Sequence, residues 1–283
     1  MEELDRCFAP KSLALVGASR KPGTIGYALL KNILTGGYKG KLYPINPATA
    51  ELQGVPTYPS LEAIEGDIDL VIIAVPAAAV KEVIQESIKK RAAGAVIISA
   101  GFSEIGAEGR QLQDEVLQIA RANNLRIIGP NCLGIINSRP DVSLHATFSP
   151  HHTQPGNIAF LSQSGAVGVA VLDFAAPLHV GLSSFVSVGN KADVSSNDML
   201  DYWSRDDSTA VIALYLESFG NPRKFTQIAK ELAPRKPIVA VKSGRSQAGQ
   251  RAASSHSAAL ADRDTAISAL FEQLGVVRVD RLE

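Results

Sequence analysis

The chain has 283 residues, 46% hydrophobic and 20% charged, with 28 basic side chains balanced by 28 acidic ones. That composition excludes disordered and fibrous classes, and zero net charge supplies no electrostatic drive toward nucleic acid or an anionic membrane. The cysteines, Cys7 and Cys132, are too few for a disulfide framework and lack metal-ligand spacing, so no metal site is expected.

At this length two domains are expected rather than one core. The N-terminus, Met-Glu-Glu-Leu-Asp-Arg, lacks a signal-peptide pattern, and no apolar run approaches a membrane span. A cytoplasmic location is therefore expected. Runs rich in Val, Ile and Leu at 12–19, 41–46, 70–75, 95–100 and 126–129 predict buried parallel strands, with helices between them at 24–35, 78–93 and 107–123. Periodicity lapses from Asn137 to Asn157, which holds three prolines and three histidines, as a linker would. The alternation then resumes: strands at 158–163, 182–188, 210–217, 237–242 and 276–279, helices at 165–176, 196–205, 221–233 and 262–274. The pattern predicts an α/β chain of two doubly wound sheets, five strands in each, divided into domains at 1–137 and 145–283.

After the first strand, Gly17-Ala18-Ser19-Arg20-Lys21-Pro22 leads through Gly23 to Gly26 and a helix. Small residues let backbone approach a ligand, and the helix points its first amides at an anion such as a pyrophosphate. The spacing is not G-x-G-x-x-G, and the second strand ends in Ile45-Asn46-Pro47 where a dinucleotide site usually carries an acid, which disfavours NAD. Further strand ends supply Val75-Pro76, Ser99-Ala100-Gly101-Phe102 and Gly129-Pro130-Asn131-Cys132-Leu133-Gly134. Such loops converge on the ligand crevice of an open α/β sheet, though Gly and Pro also punctuate strand ends for structural reasons alone. Cys132 reads better as a small buried residue in a tight loop than as a nucleophile.

In the second half, Ser162-Gln163-Ser164-Gly165 ends a strand and opens an apolar helix, a ready anion site but a poor match to the G-x-S-x-G elbow of hydrolases. The strand 210–216 ends at Glu217, where a carboxylate faces a crevice. A long loop of small and basic residues from Lys242 closes on His256. A lone histidine is usually structural, but this loop and the helix start behind it favour a phosphate-accepting imidazole, with Glu217 fixing its tautomer. His145, His151, His152 and His179 are read as linker or surface residues.

Taken in order, Val16-Gly17-Ala18-Ser19, Tyr43-Pro44-Ile45-Asn46-Pro47, Ile98-Ser99-Ala100-Gly101-Phe102, Gly129-Pro130-Asn131-Cys132-Leu133-Gly134, Ser162-Gln163-Ser164-Gly165, Val188-Gly189-Asn190, Leu216-Glu217 and Ser255-His256 resemble the nucleoside-diphosphate-forming acyl-CoA synthetases, over nearly the whole chain. The resemblance implies a Rossmann-like CoA-binding domain followed by a flavodoxin-like domain carrying a transient phosphohistidine. It implies that Gly17, Ala18, Ser19, Arg20, Lys21, Pro22, Asn46, Pro76, Ser99, Ala100 and Gly101 hold CoA, with Asn131 and Cys132 near its thiol end. It further implies that Ser164 and Gly165 receive the phosphate, that His256 is phosphorylated and that Glu217 orients it. The reaction implied interconverts acid, CoA and ATP with acyl-CoA, ADP and phosphate. It needs a small carboxylate substrate, Mg with ATP or ADP on an ATP-grasp domain or subunit, and an oligomeric assembly. Ser257, Ala258 and Asp262 stand where the family usually has Thr and two Gly, which stiffens the backbone and sets a negative charge against phosphate. The sequence ends at Glu283 with no ATP-grasp module, so one subunit or a piece of a longer chain is expected. The alternative is the CoA-sensing N-terminal region of a protein lysine acetyltransferase.

Overall fold

The computed structural model describes residues 2–243 and 264–280. His256, with Ser257, Ala258 and Asp262, lies outside the described residues. The chain opens with helix α1 (Glu2–Phe8), which sequence periodicity over so few residues did not reveal, and which buries Leu4, Cys7 and Phe8 at i, i+3 and i+4.

The first sheet is formed by β1 (Ser12–Val16), β2 (Lys41–Ile45), β5 (Leu70–Ile73), β6 (Gly94–Ile97) and β7 (Arg126–Ile128). A two-stranded ribbon, β3 (Glu51–Leu52) and β4 (Val55–Pro56), forms its own small sheet beside β2, with Tyr58 just after it bridging to Ile45. The strand order is β2-β1-β5-β6-β7 with every pairing parallel. All four residues of β5 and all four of β6 are buried, as strands covered on both faces must be. The connecting helices are α2 (Ile25–Thr35), α3 (Ala77–Lys89) and α4 (Ala107–Ala122).

The second sheet holds β8 (Gly134–Asn137), β9 (Leu144–Thr147), β10 (Pro155–Ser162), β11 (Leu182–Ser187), β12 (Val211–Leu216), β13 (Ile238–Lys242) and β14 (Val277–Arg278), in the order β14-β13-β12-β10-β11-β8-β9. Helices α5 (Gly165–Ala175), α6 (Ser196–Ser204), α7 (Pro222–Leu232) and α8 (Asp264–Leu274) complete it. Its parallel strands are joined by β8 and β9, both antiparallel to their neighbours. These two strands differ from expectation: residues 134–137 were expected in the first domain and 144–147 in a linker. Four-residue strands bounded by turns give too short a pattern to read. Gly134, at φ +117, has no room for a Cβ, which would sit 2.1 Å from the Ala146 carbonyl oxygen. Asn137, buried, donates to the Phe8 carbonyl at 2.7 Å and so ties this strand to α1. One buried apolar cluster runs from Leu4 and Leu13 through Ile135 and Val186 to Trp203, so the two domains share a core.

His145 is not a surface or linker residue. It sits in β9 with 4% of its surface exposed, its Nε2 2.9 Å from the Thr147 hydroxyl and its Nδ1 3.0 Å from Nδ1 of His152. Burial, with a smaller effect of the neighbouring His152, pushes the His145 pKa down to about 3. The unfolded chain takes up a proton near its ordinary value of 6.5 while the folded chain does not until about 3. Stability is therefore full above pH 6.5 and falls as pH drops through that window, by about 1.4 kcal/mol per pH unit. Urea unfolding at pH 7 and pH 5 is expected to show this slope, and His145→Gln is expected to flatten it.

Candidate functional site

Both sheets reverse direction once: the order of parallel strands steps from β1 to β2 on one side and to β5 on the other, and likewise from β10 to β11 and to β12. Outside the carboxyl ends at such a switch point lies the ligand crevice of doubly wound sheets. The loops singled out from the sequence fall there. In the first sheet Gly17 to Pro22 follow β1 and Pro76 follows β5; in the second Ser164 follows β10 and Glu217 follows β12.

The first crevice is a rim of touching loops. Gly17 has φ +93, and a Cβ on it would lie 2.4 Å from the Ala74 carbonyl oxygen. A Cβ on Gly26 would lie 1.9 Å from the Gly17 carbonyl oxygen, so the backbone of the turn lies bare against the first turn of α2. Thr24 caps that helix, its hydroxyl accepting from the Tyr27 amide. Within the turn Ser19 Oγ accepts from the Lys21 amide at 3.1 Å, while Arg20, Lys21 and Pro22 are exposed at the mouth. Asn46 donates from Nδ2 to the Ala18 carbonyl at 2.8 Å, and its Oδ1 accepts from the Ala48 amide at 2.8 Å. On the other side Ser99 Oγ donates to the Val75 carbonyl beside Pro76, and the Asn131 amide donates to the Ser99 carbonyl at 3.0 Å. Ala100 is exposed and Gly101 half-buried at φ +105. A bare backbone at a helix start, flanked by exposed cations, fits the diphosphate of a nucleotide-like ligand such as CoA. Cys132 is buried, its thiol donating to the Ile97 carbonyl at 3.3 Å, and burial pushes it up to about 12, so it is no thiolate nucleophile.

In the second crevice Ser164 caps α5, accepting from the Val167 amide at 3.3 Å, and Gly165 opens the helix. Buried Gln163 joins β10 to the turn after β12: its Oε1 accepts from the Glu217 amide at 2.9 Å and the Ser218 amide at 3.0 Å. Lys191 Nζ donates to the Ser218 carbonyl and hydroxyl, each at 2.8 Å. Burial lowers the Lys191 pKa to about 8, opposed by the nearby Glu217 and assisted by Lys242. Ser164, Gly165 and Glu217 are thus brought to neighbouring strand ends, through side chains that sequence reasoning assigned no role.

Between the crevices stands Asn190. Its Nδ2 donates to Glu104 Oε2 at 2.6 Å and to Gln113 Oε1 at 3.0 Å, and its Oδ1 accepts from Asn131 Nδ2 at 3.3 Å. Glu104 Oε1 accepts in turn from the Gly101 amide at 2.6 Å and the Phe102 amide at 3.1 Å. Burial alone would raise the Glu104 carboxyl, but the bonds from Asn190, Gly101 and Phe102 outweigh it and hold the group below its ordinary value. Glu104 and Lys191 carried no sequence signal, and Asn190 only its place after Gly189.

Comparison with known proteins agrees with this architecture. Residues 11–138 match the CoA binding domain family and residues 155–283 the succinyl-CoA ligase like flavodoxin domain family. The chain is 44% identical over 281 residues to the ADP-forming acetate–CoA ligase of Methanocaldococcus jannaschii, covering 99% of this chain and 39% of that protein. It is 41% identical to subunit alpha of ADP-forming acetate–CoA ligase I of Pyrococcus furiosus, covering 97% of this chain and 60% of the subunit. Among solved structures, the dinucleotide-forming acetyl-coenzyme A synthetase 1 of Ca. Korarchaeum cryptofilum, in complex with phosphate and ADP, superimposes with a TM-score of 0.94 at 40% identity, over 99% of this chain and 60% of that one. The fold is thus a Rossmann-like CoA-binding domain followed by a succinyl-CoA-ligase-like, flavodoxin-like domain. The chain is similar to the α-subunit-like N-terminal part of the ADP-forming acetate–CoA ligases, and spans 39% to 60% of the length of these relatives. Among the described residues no helix is long and apolar enough to cross a membrane.

Proposed function

We propose that this chain is the CoA-binding, phosphohistidine-bearing part of an ADP-forming acyl-CoA synthetase, acting in the cytoplasm with an ATP-grasp domain or subunit. Residues 1–137 hold CoA and residues 145–283 carry phosphate. The observation that supports this most is the meeting of two switch-point crevices through Asn131 and Asn190, one bare of side chains at Gly17 and Gly26, the other furnished with Ser164, Gly165 and Glu217. The amides at the start of α2, with Arg20 and Lys21, hold the CoA diphosphate, while Asn46, Pro76 and Ser99 to Gly101 line the rest of the rim and Asn131 lies toward the thiol.

Phosphate is transferred in three displacements. A His256 nitrogen attacks the γ-phosphorus of ATP, forming an N–P bond and releasing ADP. A substrate carboxylate oxygen then takes the phosphoryl group, freeing the imidazole and making an acyl phosphate. The CoA thiolate finally attacks the acyl carbon and inorganic phosphate leaves. Glu217 accepts from the other imidazole nitrogen, which fixes the tautomer and offsets the charge on the phosphorylated ring. The α5 amides behind Ser164 and Gly165 receive the phosphoryl oxygens. Mg and the nucleotide are held by the ATP-grasp partner.

The test is labelling of the chain by γ-labelled ATP in the presence of an ATP-grasp partner subunit. An acid-labile, alkali-stable label is expected, absent in His256→Ala and slowed in Glu217→Gln. Calorimetry is expected to show CoA binding. A partner active with another α subunit that leaves this chain unlabelled would overturn the phosphoryl-transfer role.

A further inference from the structure

The sequence separates Glu104 from Asn190 by 86 positions, yet their side chains meet at 2.6 Å across the boundary between the two sheets. Glu104 uses one carboxylate oxygen on each side. Oε1 gathers the amides of Gly101 and Phe102, which shape the loop after β6 on the CoA rim. Oε2 takes Asn190, which sits in the loop between β11 and α6. The approach is close: Gly189 has φ +48, and a Cβ there would lie 2.3 Å from both the Pro130 and the Asn131 carbonyl oxygens. The next residue after Asn190, Lys191, has φ +55 and grips Ser218, and Gln163 holds the Glu217 and Ser218 amides from the other side. A continuous path of hydrogen bonds and one peptide unit thus leads from the Gly101 amide to the turn that bears Glu217.

We propose that the Glu104–Asn190 pair is a positioning latch that couples occupancy of the CoA rim to the setting of the Glu217 turn, so that each half-site reports its ligand to the other. This rests on the proposed CoA site and extends it. A ligand that orders the loop at 99–102 fixes Glu104, which fixes Asn190 and the backbone of Lys191, and so restrains Ser218. Linkage makes the effect mutual: whatever steadies the Glu217 turn tightens CoA by the same factor. The latch is a specific geometry rather than general packing, because both partners are polar and each bond has a defined donor.

The test is hydrogen exchange of the Glu217 and Ser218 amides by NMR in the full chain, with and without saturating CoA. In the wild type, CoA is expected to slow their exchange by about fivefold or more, the low end of ordinary coupling. Asn190→Asp sets two carboxylates against each other, and Asn190→Ala removes the bond; in both, saturating CoA is expected to change the exchange by less than about twofold. Glu104→Gln combined with Asn190→Asp restores a donor facing an acceptor, and is expected to restore the protection. Far-UV dichroism and thermal unfolding identify variants that fold, and the two disconnecting substitutions differ enough that one failing leaves the other to report. Equal protection by CoA in the disconnected variants, or no protection in a wild type that binds CoA, overturns the latch alone. A wild type that gives no binding heat with CoA overturns the CoA site and the latch with it.

Discussion

Gly26→Ala is expected to weaken CoA binding at least tenfold, roughly, and to lower stability by about 1–3 kcal/mol, the range for forcing extra atoms into a packed site. The alanine methyl would lie 1.9 Å from the Gly17 carbonyl oxygen and 3.0 Å from its carbonyl carbon. Neither is the end of a flexible side chain. Gly17 is itself held by contact with Ala74, where a Cβ would approach to 2.4 Å, so the turn cannot retreat into the sheet. The remaining movement is for α2 to swing outward, and that carries the first-turn amides away from the bare loop. Those amides act on an anion only at hydrogen-bond range. Calorimetry with CoA, alongside thermal unfolding without it, separates the two effects: a folded Gly26→Ala chain with unchanged CoA affinity would mean that ligand does not sit at this helix start.

Trp203→Ala is expected to be among the most destabilising single substitutions in the second domain, by about 3–5 kcal/mol. Trp203 is the largest fully buried side chain, 0% exposed, at the point where α6 lies on the sheet. Its Nε1 donates to Ser184 Oγ at 2.8 Å, and Ser184 on β11 is itself buried. Truncation therefore opens a cavity and also strips a buried hydroxyl of a partner. Trp203→Phe keeps much of the volume but not the bond, so it is expected to lie between wild type and alanine. Urea unfolding followed by far-UV dichroism measures the series, since the chain's one tryptophan is the residue removed.

What could be read from the sequence divides along physical lines. Parallel strands such as 70–73, buried on both faces, give unbroken apolar runs, and β-α-β alternation with helix starts at Thr24 and Ser164 is local information. The loops of the first crevice were legible for the same reason: each is a strand end followed by small residues, and order along the chain fixes their convergence. Strands at 134–137 and 144–147 were not, because their pairing partners and not their own short patterns make them strands. His145 was misread because its burial depends on α2, whose Asn32 donates to the Thr147 and Ser149 carbonyls at 2.8 and 2.7 Å. Glu104, Gln163 and Lys191 stayed silent since a polar residue in a loop looks solvated until a distant partner meets it. Their roles arise from contacts spanning 86, 54 and 27 positions.

The antiparallel attachment of β8 has a consequence for how such proteins can be recombined. Residues 134–137 follow the last strand of the CoA-binding sheet yet serve as the outer neighbour of β11. A chimera joined inside the stretch from 137 to 157 would give the recipient a foreign cover for that border, and a piece begun there would leave it with no cover, inviting edge-to-edge association between molecules. The natural seam for exchanging the two modules lies earlier, between Ile128 and Gly134, where one sheet has ended and the other has not begun.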